Sequence, residues 1–394
     1  MWSTPREEIE RRIQALQAGM REQGIEAALI VQRADLFYFS GTGQEAHLLI
    51  PAEGRATLMV RKSLERAQVD SPLDEVLPSP GLSALKQRVQ SICDGPPRTL
   101  GLELDVLPVN LYRMYQDLFP ETEIRDVSYL VREVRMIKSA YELELIGEAA
   151  RLNDSMYRMV PEILREGMSE VEFSGLLEAF YRKHGHQGHV RVRSFNQEVF
   201  YGHVMSGSNL AVPSATVGPT GGPGVHPSMP HGAGLKTIRR HEPVQIDYVA
   251  VAGGYMVDQA RTFFLGKPPQ KFLEVHEVAL AIQNALAAQG RPGTKAETLY
   301  DTALDMAAQA GLADGFLGYP QAVPFVGHGV GLELDELPLV GKKSPHVLQE
   351  GMVVALEPKF ILPGEGLAGI ENTFVVGKSG LERVSTFDDA IQVL

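Results

Sequence analysis

The chain has a single cysteine, Cys93, among its 394 residues. An intrachain disulfide is therefore excluded, and so is a zinc site built from several thiolates. The chain also has no uninterrupted apolar run of the length needed to cross a bilayer, which is about 20 residues. Its first residues are charged and lack the apolar core of a secretory signal peptide. These absences predict a cytoplasmic protein that does not enter a membrane.

Positive charge is also scarce. Lys and Arg number 37 against 49 Asp and Glu, which gives a formal net charge of −12 at pH 7. Binding to a phosphate backbone needs clustered Lys and Arg, so we expect no nucleic-acid partner. The hydrophobic fraction of 44% and the charged fraction of 22% are those of an ordinary globular protein. The length allows two domains.

The first 125 residues alternate between helix and strand patterns, which predicts a small α/β domain. Residues 27–31 form an apolar run that is typical of a buried strand. Residues 48–60 have the pattern of a hairpin that turns at Glu53–Gly54. No combination of residues in this part of the chain suggests a catalytic site.

A second domain is predicted to follow. Ser139 and Glu142 have the spacing of a capping box, which opens a helix that Gly167 is expected to end. Beyond this helix, strand patterns rich in glycine are interrupted by further helices. We therefore predict domains at residues 1–130 and 131–394, the second being α+β with helices around a mostly antiparallel sheet.

Two aspartates lie in a segment with a hairpin pattern, residues 244–264. Two β-rich runs flank Gly253–Gly254, which is a hairpin turn signal. If the turn is centred there, Asp247 lies opposite Ala260, and Asp258 is on the same face as Asp247. The two carboxylates would be diagonal cross-strand neighbours, roughly 7–8 Å apart at the backbone. They could converge on metal ions about 3.5–4 Å apart; two surface aspartates at a hairpin edge are the alternative.

Three further ionisable residues lie in apolar or glycine-rich segments. His328 stands between Gly327 and Gly329, which allow close approach of the backbone, although a single histidine between glycines is more often a turn residue. Glu357 ends an apolar strand and Glu371 lies inside one, where an unpaired carboxylate is costly. Four carboxylates and one imidazole carry too much negative charge to be buried without cations. Two divalent metal ions would neutralise them, and this oxygen-rich set suits hard or borderline metals.

Taken in order, these residues resemble the metal ligands of the pita-bread metallopeptidase family, which includes methionine aminopeptidase, aminopeptidase P and prolidase. The family pattern is an Asp, a second Asp eleven residues later, a His in Gly-His-Gly, a Glu before Pro, and a Glu in a strand. The similarity extends over nearly the whole chain, whose first 125 residues resemble the creatinase-type N-terminal domain. The resemblance implies a smaller α/β N-terminal domain and a pita-bread catalytic domain. The matching residues are Asp247, Asp258, His328, Glu357 and Glu371.

The resemblance implies a role for each of these residues. Asp247 would bind one metal, His328 and Glu357 the other, and Asp258 and Glu371 would bridge both. A hydroxide between the metals would be the nucleophile because the cations lower its pKa, and Glu357 would take up and pass on its proton. Manganese is the expected metal. Cobalt, zinc and iron are alternatives, because this ligand set accepts all four. A homodimer is also implied.

Four more positions are candidates for contact with the substrate. His231, sixteen residues before Asp247, matches a catalytic histidine of the family that contacts the substrate, with a loop histidine as the alternative. Asp335 stands where the family usually has a second histidine that contacts the substrate carbonyl. An ionised carboxylate there would repel a developing negative charge. Arg191 and Arg193 are candidates for binding a substrate carboxylate.

The resemblance thus predicts a dinuclear metal-dependent exopeptidase that cleaves a small peptide near its N-terminus, with Xaa-Pro as the expected bond. Prolidase would act on dipeptides and aminopeptidase P on longer peptides. An alternative is a pita-bread enzyme that acts on a small non-peptide substrate by C–N hydrolysis or lyase chemistry, because of Asp335. A third is an inactive domain that serves as a binding module, against which the complete ligand set counts.

Overall fold

The computed structural model describes residues 3–79 and 81–394. The chain divides into two compact units, Met1–Arg135 and Met136–Leu394. Among the described residues, no helix is both long and apolar enough to cross a membrane.

The first unit is built on a mixed sheet. Its strands β1–β6 are Ala27–Ile30, Ala46–Pro51, Thr57–Val60, Glu75–Pro78, Thr99–Leu102 and Glu123–Asp126. The helices α1–α6 are Arg6–Gln23, Arg33–Ser40, Leu64–Asp70, Leu82–Ile92, Val109–Leu118 and Ser128–Met136. The strand order is β4-β3-β2-β1-β5-β6, with β1 parallel to β5 and antiparallel to β2.

The predicted α/β organisation of this unit is confirmed. Every residue of β1 is buried, which explains the apolar run at 27–31, since a central strand covered on both faces needs apolar residues throughout. The predicted hairpin is present as the antiparallel pair β2 and β3, and Gly54 in the connection has a φ of 104°. Leu29, Leu49 and Leu100 from three neighbouring strands belong to the core of the unit.

The second unit combines helices with mostly antiparallel strands, as predicted. The helices α7–α10 are Ala140–Ile163, Glu170–Lys183, Gln270–Gln289 and Ala296–Gln309. Its strands β7–β17 are Gly202–Ser206, Pro243–Ala252, Tyr255–Phe264, Phe325–Gly329, Glu336–Gly341, Val353–Leu356, Lys359–Leu362, Gly366–Gly369, Asn372–Val376, Leu381–Arg383 and Gln392–Val393. They form sheets in the orders β17-β9-β8-β7 and β11-β10-β12-β15-β16, with β13 and β14 as a separate pair.

Helix α7 begins at the predicted capping box. The Ser139 hydroxyl accepts a hydrogen bond from the Glu142 N–H, and the Glu142 carboxylate accepts one from the Ser139 N–H. The expected end at Gly167 is wrong, because the helix ends at Ile163 and Leu164 is already extended. Gly167 instead donates its N–H to the carbonyl of Ile238, so tertiary pairing determines its conformation.

Each large sheet of the second unit has a core of its own. Tyr157 of α7 and Phe173 of α8 pack with Ile246 and Val257 of the β8–β9 hairpin. A second core contains residues of α9 and α10 together with β10 and β12. The two sheets meet where Ala260 of β9 forms an antiparallel bridge with Glu371, immediately before β15.

Candidate metal centre

The hairpin β8–β9 has the predicted register. Asp247 lies opposite Ala260, so Asp258 is on the same face as Asp247 because side chains alternate along a strand. The bridge between Ala260 and Glu371 brings a further carboxylate to this face. Thr373 fixes the distance between the two sheets, since its hydroxyl accepts from the Asp258 N–H at 3.0 Å and donates to the Asp258 carbonyl at 2.8 Å.

His328 lies on β10, between β11 and β12. The glycines beside it are required by the close approach of these neighbouring strands. A methyl group on Gly327 would lie 2.2 Å from the carbonyl oxygen of Ala355, and one on Gly329 would lie 2.2 Å from that of Leu337. The Gly-His-Gly sequence therefore allows a tightly packed central strand to carry a buried imidazole.

The orientation of the His328 ring suits metal binding. Its Nδ1 atom lies 3.1 Å from the carbonyl oxygen of Gly329 and 3.0 Å from that of Leu334, so Nδ1–H donates. Nε2 then faces the carboxylates, 3.8 Å from Asp258 Oδ2 and 3.8 Å from Glu371 Oε1, and in the neutral ring it presents a lone pair to them. A carbonyl that fixes the tautomer in this way is the usual partner of a metal-binding histidine.

Asp258, His328 and Glu371 together fit a metal ion. One potential ligand atom from each lies within 4.8 Å of the other two. Asp258 Oδ1 and Glu371 Oε1 are buried, and neither has a hydrogen-bond partner in the described part of the chain. Buried carboxylate oxygens without donors are costly, and a divalent cation between them would satisfy both. Two carboxylates and one imidazole are common ligands of such an ion.

The electrostatics of the cluster lead to the same conclusion. Burial raises the pKa of Asp258 well above its ordinary value, and the charges of Glu371 and Asp247 raise it further. Burial also raises the pKa of Glu371 well above its ordinary value, although Lys359 opposes the shift. A bound cation would reverse these shifts, because it stabilises the ionised form of both groups.

Lys359, which sequence reasoning missed, lies among the predicted ligands. Its Nζ atom donates to Asp247 Oδ2 at 2.7 Å, to Glu357 Oε2 at 2.9 Å and to Glu371 Oε2 at 2.6 Å. Burial lowers the pKa of Lys359, but the three carboxylates outweigh this effect and raise it well above its ordinary value. Its spacing from Glu357 could have indicated this position, since only Pro358 separates the two residues. Residues two apart in an extended segment share a face.

A cavity of about 640 Å³ gives access to these residues, and both His231 and Asp335 line it. A second missed residue, His203, also lines the cavity and lies opposite Asp247 in the pairing of β7 with β8. The rings of His203 and His231 are 5.8 Å apart. Burial lowers the pKa of His203 to about 4, so its ring is neutral at pH 7. No local sequence pattern distinguished His203.

The remaining candidates lie in different surroundings. Asp335 places Oδ1 3.6 Å from His328 Nδ1, so it neighbours a predicted ligand as well as the cavity. Arg191 and Arg193 are absent from the cavity wall in the described part of the chain. The guanidinium of Arg193 is buried 3.6 Å from Glu333. A role for either arginine in substrate binding stays a prediction.

Comparison with known protein families found a match over most of the second unit. Residues 144–378, more than half of the chain, match the family described as Metallopeptidase family M24. The chain belongs to metallopeptidase family M24. Residues 12–137 match the Creatinase/Prolidase N-terminal domain. The predicted membership of this family, with its pita-bread fold and creatinase-type N-terminal domain, is therefore confirmed.

Named relatives cover nearly the whole chain. An Xaa-Pro dipeptidase of Pyrococcus furiosus is 26% identical over 380 residues, which cover 96% of this chain and 98% of the relative. The solved structure of an Xaa-Pro dipeptidase from Bacillus anthracis gives a TM-score of 0.84 at 26% identity, covering 98% of this chain and 100% of that one. An X-Pro aminopeptidase from Thermotoga maritima gives 0.80 at 26% identity, covering 97% and 99%.

Proposed function

We propose that this chain is a metal-dependent exopeptidase that hydrolyses an Xaa-Pro bond at the N-terminus of a small peptide. The buried cluster of Asp258, His328 and Glu371 beside the cavity carries the proposal, because it fits a divalent ion. The names of the relatives support the substrate class, and they include both dipeptidases and an aminopeptidase. Dipeptides and longer peptides are therefore both within the proposal.

The residues of the site have different proposed roles. Asp258, His328 and Glu371 would hold the metal, which would act as a Lewis acid that polarises a carbonyl and lowers the pKa of water. Glu357 lines the cavity and takes up the proton of the attacking water, then passes it to the proline nitrogen. His231 lines the same cavity and positions the substrate by a hydrogen bond.

Three further features are drawn from the resemblance. Manganese as the native metal and a homodimer stay predictions. A second metal at Asp247, with the hydroxide nucleophile expected between two metals, is a prediction that the contacts of Lys359 oppose.

The proposal is tested with Mn²⁺-loaded protein and three substrate sets: Xaa-Pro dipeptides, longer peptides that begin with Xaa-Pro, and the same sequences with Ala in place of Pro. Mass spectrometry should detect release of the first residue from Xaa-Pro substrates, and EDTA should abolish it. Cleavage of dipeptides alone would indicate a prolidase, and cleavage of longer peptides an aminopeptidase P. The matched control is Glu357→Gln, which keeps the side-chain size and removes the carboxylate. Absence of cleavage by protein shown to contain metal would contradict the proposal.

Asp335 favours a second candidate function. Its carboxylate lines the cavity near His328 and would repel negative charge on a carbonyl oxygen. Under this alternative the enzyme acts on a small non-peptide substrate, by C–N hydrolysis or by a lyase reaction. Metal-loaded protein would then leave every peptide of the three sets intact.

A further inference from the structure

Lys359 is a charged residue of the site to which the proposed function gives no role. Its side chain is 2% exposed and lies within hydrogen-bond distance of three carboxylates. An ammonium has three N–H donors, whereas a neutral amine has only two. The contacts with Asp247, Glu357 and Glu371 therefore match the full donor capacity of an ammonium, at distances typical of charge-assisted hydrogen bonds.

The oxygens that bind Lys359 are those that a second metal would need. Asp247 Oδ2 and Glu371 Oε2 lie 2.7 Å and 2.6 Å from Nζ. A transition metal held by these oxygens would lie about 2.0–2.2 Å from each, in the space that Nζ fills. The ammonium and the metal would also repel each other at such a short distance.

The other half of the site has the opposite character. Asp258 Oδ1 and Glu371 Oε1 are buried without a donor in the described part of the chain, and His328 Nε2 faces this side. Glu371 therefore presents one oxygen to Lys359 and the other to His328 and Asp258. Asp247 and Glu357 are thus bound to the ammonium, and Asp258 faces the space suited to a metal. Glu371 borders both.

We propose that Lys359 takes the place of one metal ion, so that the chain binds a single divalent ion at Asp258, His328 and Glu371. Asp247 then binds an ammonium instead of a metal, and Glu371 bridges the ammonium and the metal. The inference deepens the proposed function, on which its assignment of metal ligands rests. It concerns the number of ions bound, which is measured without any substrate.

The test is the metal content of protein saturated with Mn²⁺ and freed of unbound ions by gel filtration, measured by inductively coupled plasma mass spectrometry. We expect one ion per wild-type chain. Lys359→Ala opens the space beside Asp247 and should bind two. Lys138→Ala is the matched control, because it removes another buried ammonium, paired with Glu336 at 2.9 Å and absent from the cavity wall among the described residues. It should bind one.

A second variant keeps the inference testable if Lys359→Ala does not fold. Asp247→Asn should have the same metal content as the wild type, one ion per chain. If the wild type instead held a pair of metals, loss of this ligand would reduce the content from two ions to one. Electron paramagnetic resonance of the wild type should give the hyperfine-resolved spectrum of an isolated Mn²⁺ ion.

The outcomes separate this inference from the proposed function. Two magnetically coupled ions in the wild type would overturn the inference and leave the peptidase proposal standing. One bound ion without peptide cleavage would support the inference and contradict the proposal. A wild-type protein that binds no metal would overturn both.

Discussion

Asp258 has a buried carboxylate oxygen without a hydrogen-bond donor among the described residues. The free-energy cost of burying the ionised carboxylate therefore depends on whether a cation is bound. We expect Asp258→Asn to lower Mn²⁺ affinity by more than about 100-fold, because loss of an outer-shell partner alone typically costs 10–100-fold. Chelator competition measures this affinity. Thr373→Val is the control for a smaller loss of affinity. It keeps every ligand and removes only the hydroxyl that bonds to the Asp258 backbone. Unchanged affinity of Asp258→Asn would contradict the assignment.

Asp335 offers a gain-of-function experiment. If this position contacts the substrate carbonyl, Asp335→His supplies a hydrogen-bond donor where the wild type has a carboxylate. We expect kcat on Xaa-Pro substrates to rise by about 100-fold, the lower end of the effect of a single such donor. Steady-state kinetics with Asp335→Asn as the neutral control measure the change. A folded Asp335→His variant without any gain would favour a non-peptide substrate.

The five acidic and imidazole residues of the predicted metal site could be found because each breaks an apolar or glycine-rich segment. Lys359 could not be found in this way, since a lysine at the start of a strand is normally solvated. Its burial results from the neighbouring carboxylates, two of which, Asp247 and Glu371, come from other segments of the chain. Similarly, His203 enters the site through the pairing of β7 with β8, which no local pattern of residues indicates.

The packing of strand β10 gives a prediction about its glycines. Gly327→Ala places a methyl group 2.2 Å from a backbone carbonyl, and the strand must shift to relieve the clash. We expect it to reduce the free energy of unfolding by roughly 3 kcal/mol or more and to weaken metal binding through His328. Chemical denaturation and chelator competition measure the two effects.

The matched control for this glycine is Gly175 in α8. A methyl group added there meets no atom within 4 Å. Gly175→Ala should raise the free energy of unfolding by about 0.5–1 kcal/mol, because alanine favours the helix. A similar change in the free energy of unfolding at both positions would show that the close strand contact at Gly327 does not destabilise its alanine variant.

Elements with local signals were predictable from the sequence. The β8–β9 hairpin has its predicted register because Gly253 and Gly254 supply the positive φ values that a tight turn needs. The start of α7 was predictable for the same reason, since a capping box is a local interaction. Its end was not, because Gly167 pairs with Ile238, which is distant in sequence.

His47 makes the stability of the first unit depend on pH. Burial lowers the pKa of His47 to about 4, against an ordinary value of 6.5. The unfolded chain therefore takes up a proton before the folded chain does, so stability is full above pH 6.5 and falls as the pH decreases towards 4. Between pH 8 and pH 5 this group alone should remove about 2 kcal/mol from the free energy of unfolding.

The variant His47→Gln separates this contribution from those of other groups. Glutamine can still bond to the hydroxyl of Tyr115, which lies 2.8 Å from His47 Nε2, but it does not titrate. Differential scanning calorimetry at pH 8 and pH 5 should show a smaller decrease in the melting temperature for the variant than for the wild type. Equal decreases in the two proteins would rule out the role of His47.

Lys359 also has a consequence for the protein in a cell where metal supply varies. A metal ion exchanges with the solution, so its occupancy follows the free concentration and a chelator can remove it. The ammonium of Lys359 is tethered to the backbone two residues from Glu357 and cannot diffuse away. Its local concentration is fixed when the chain is synthesised. Part of the acidic cluster is therefore neutralised in every folded molecule, including those made when the metal is scarce.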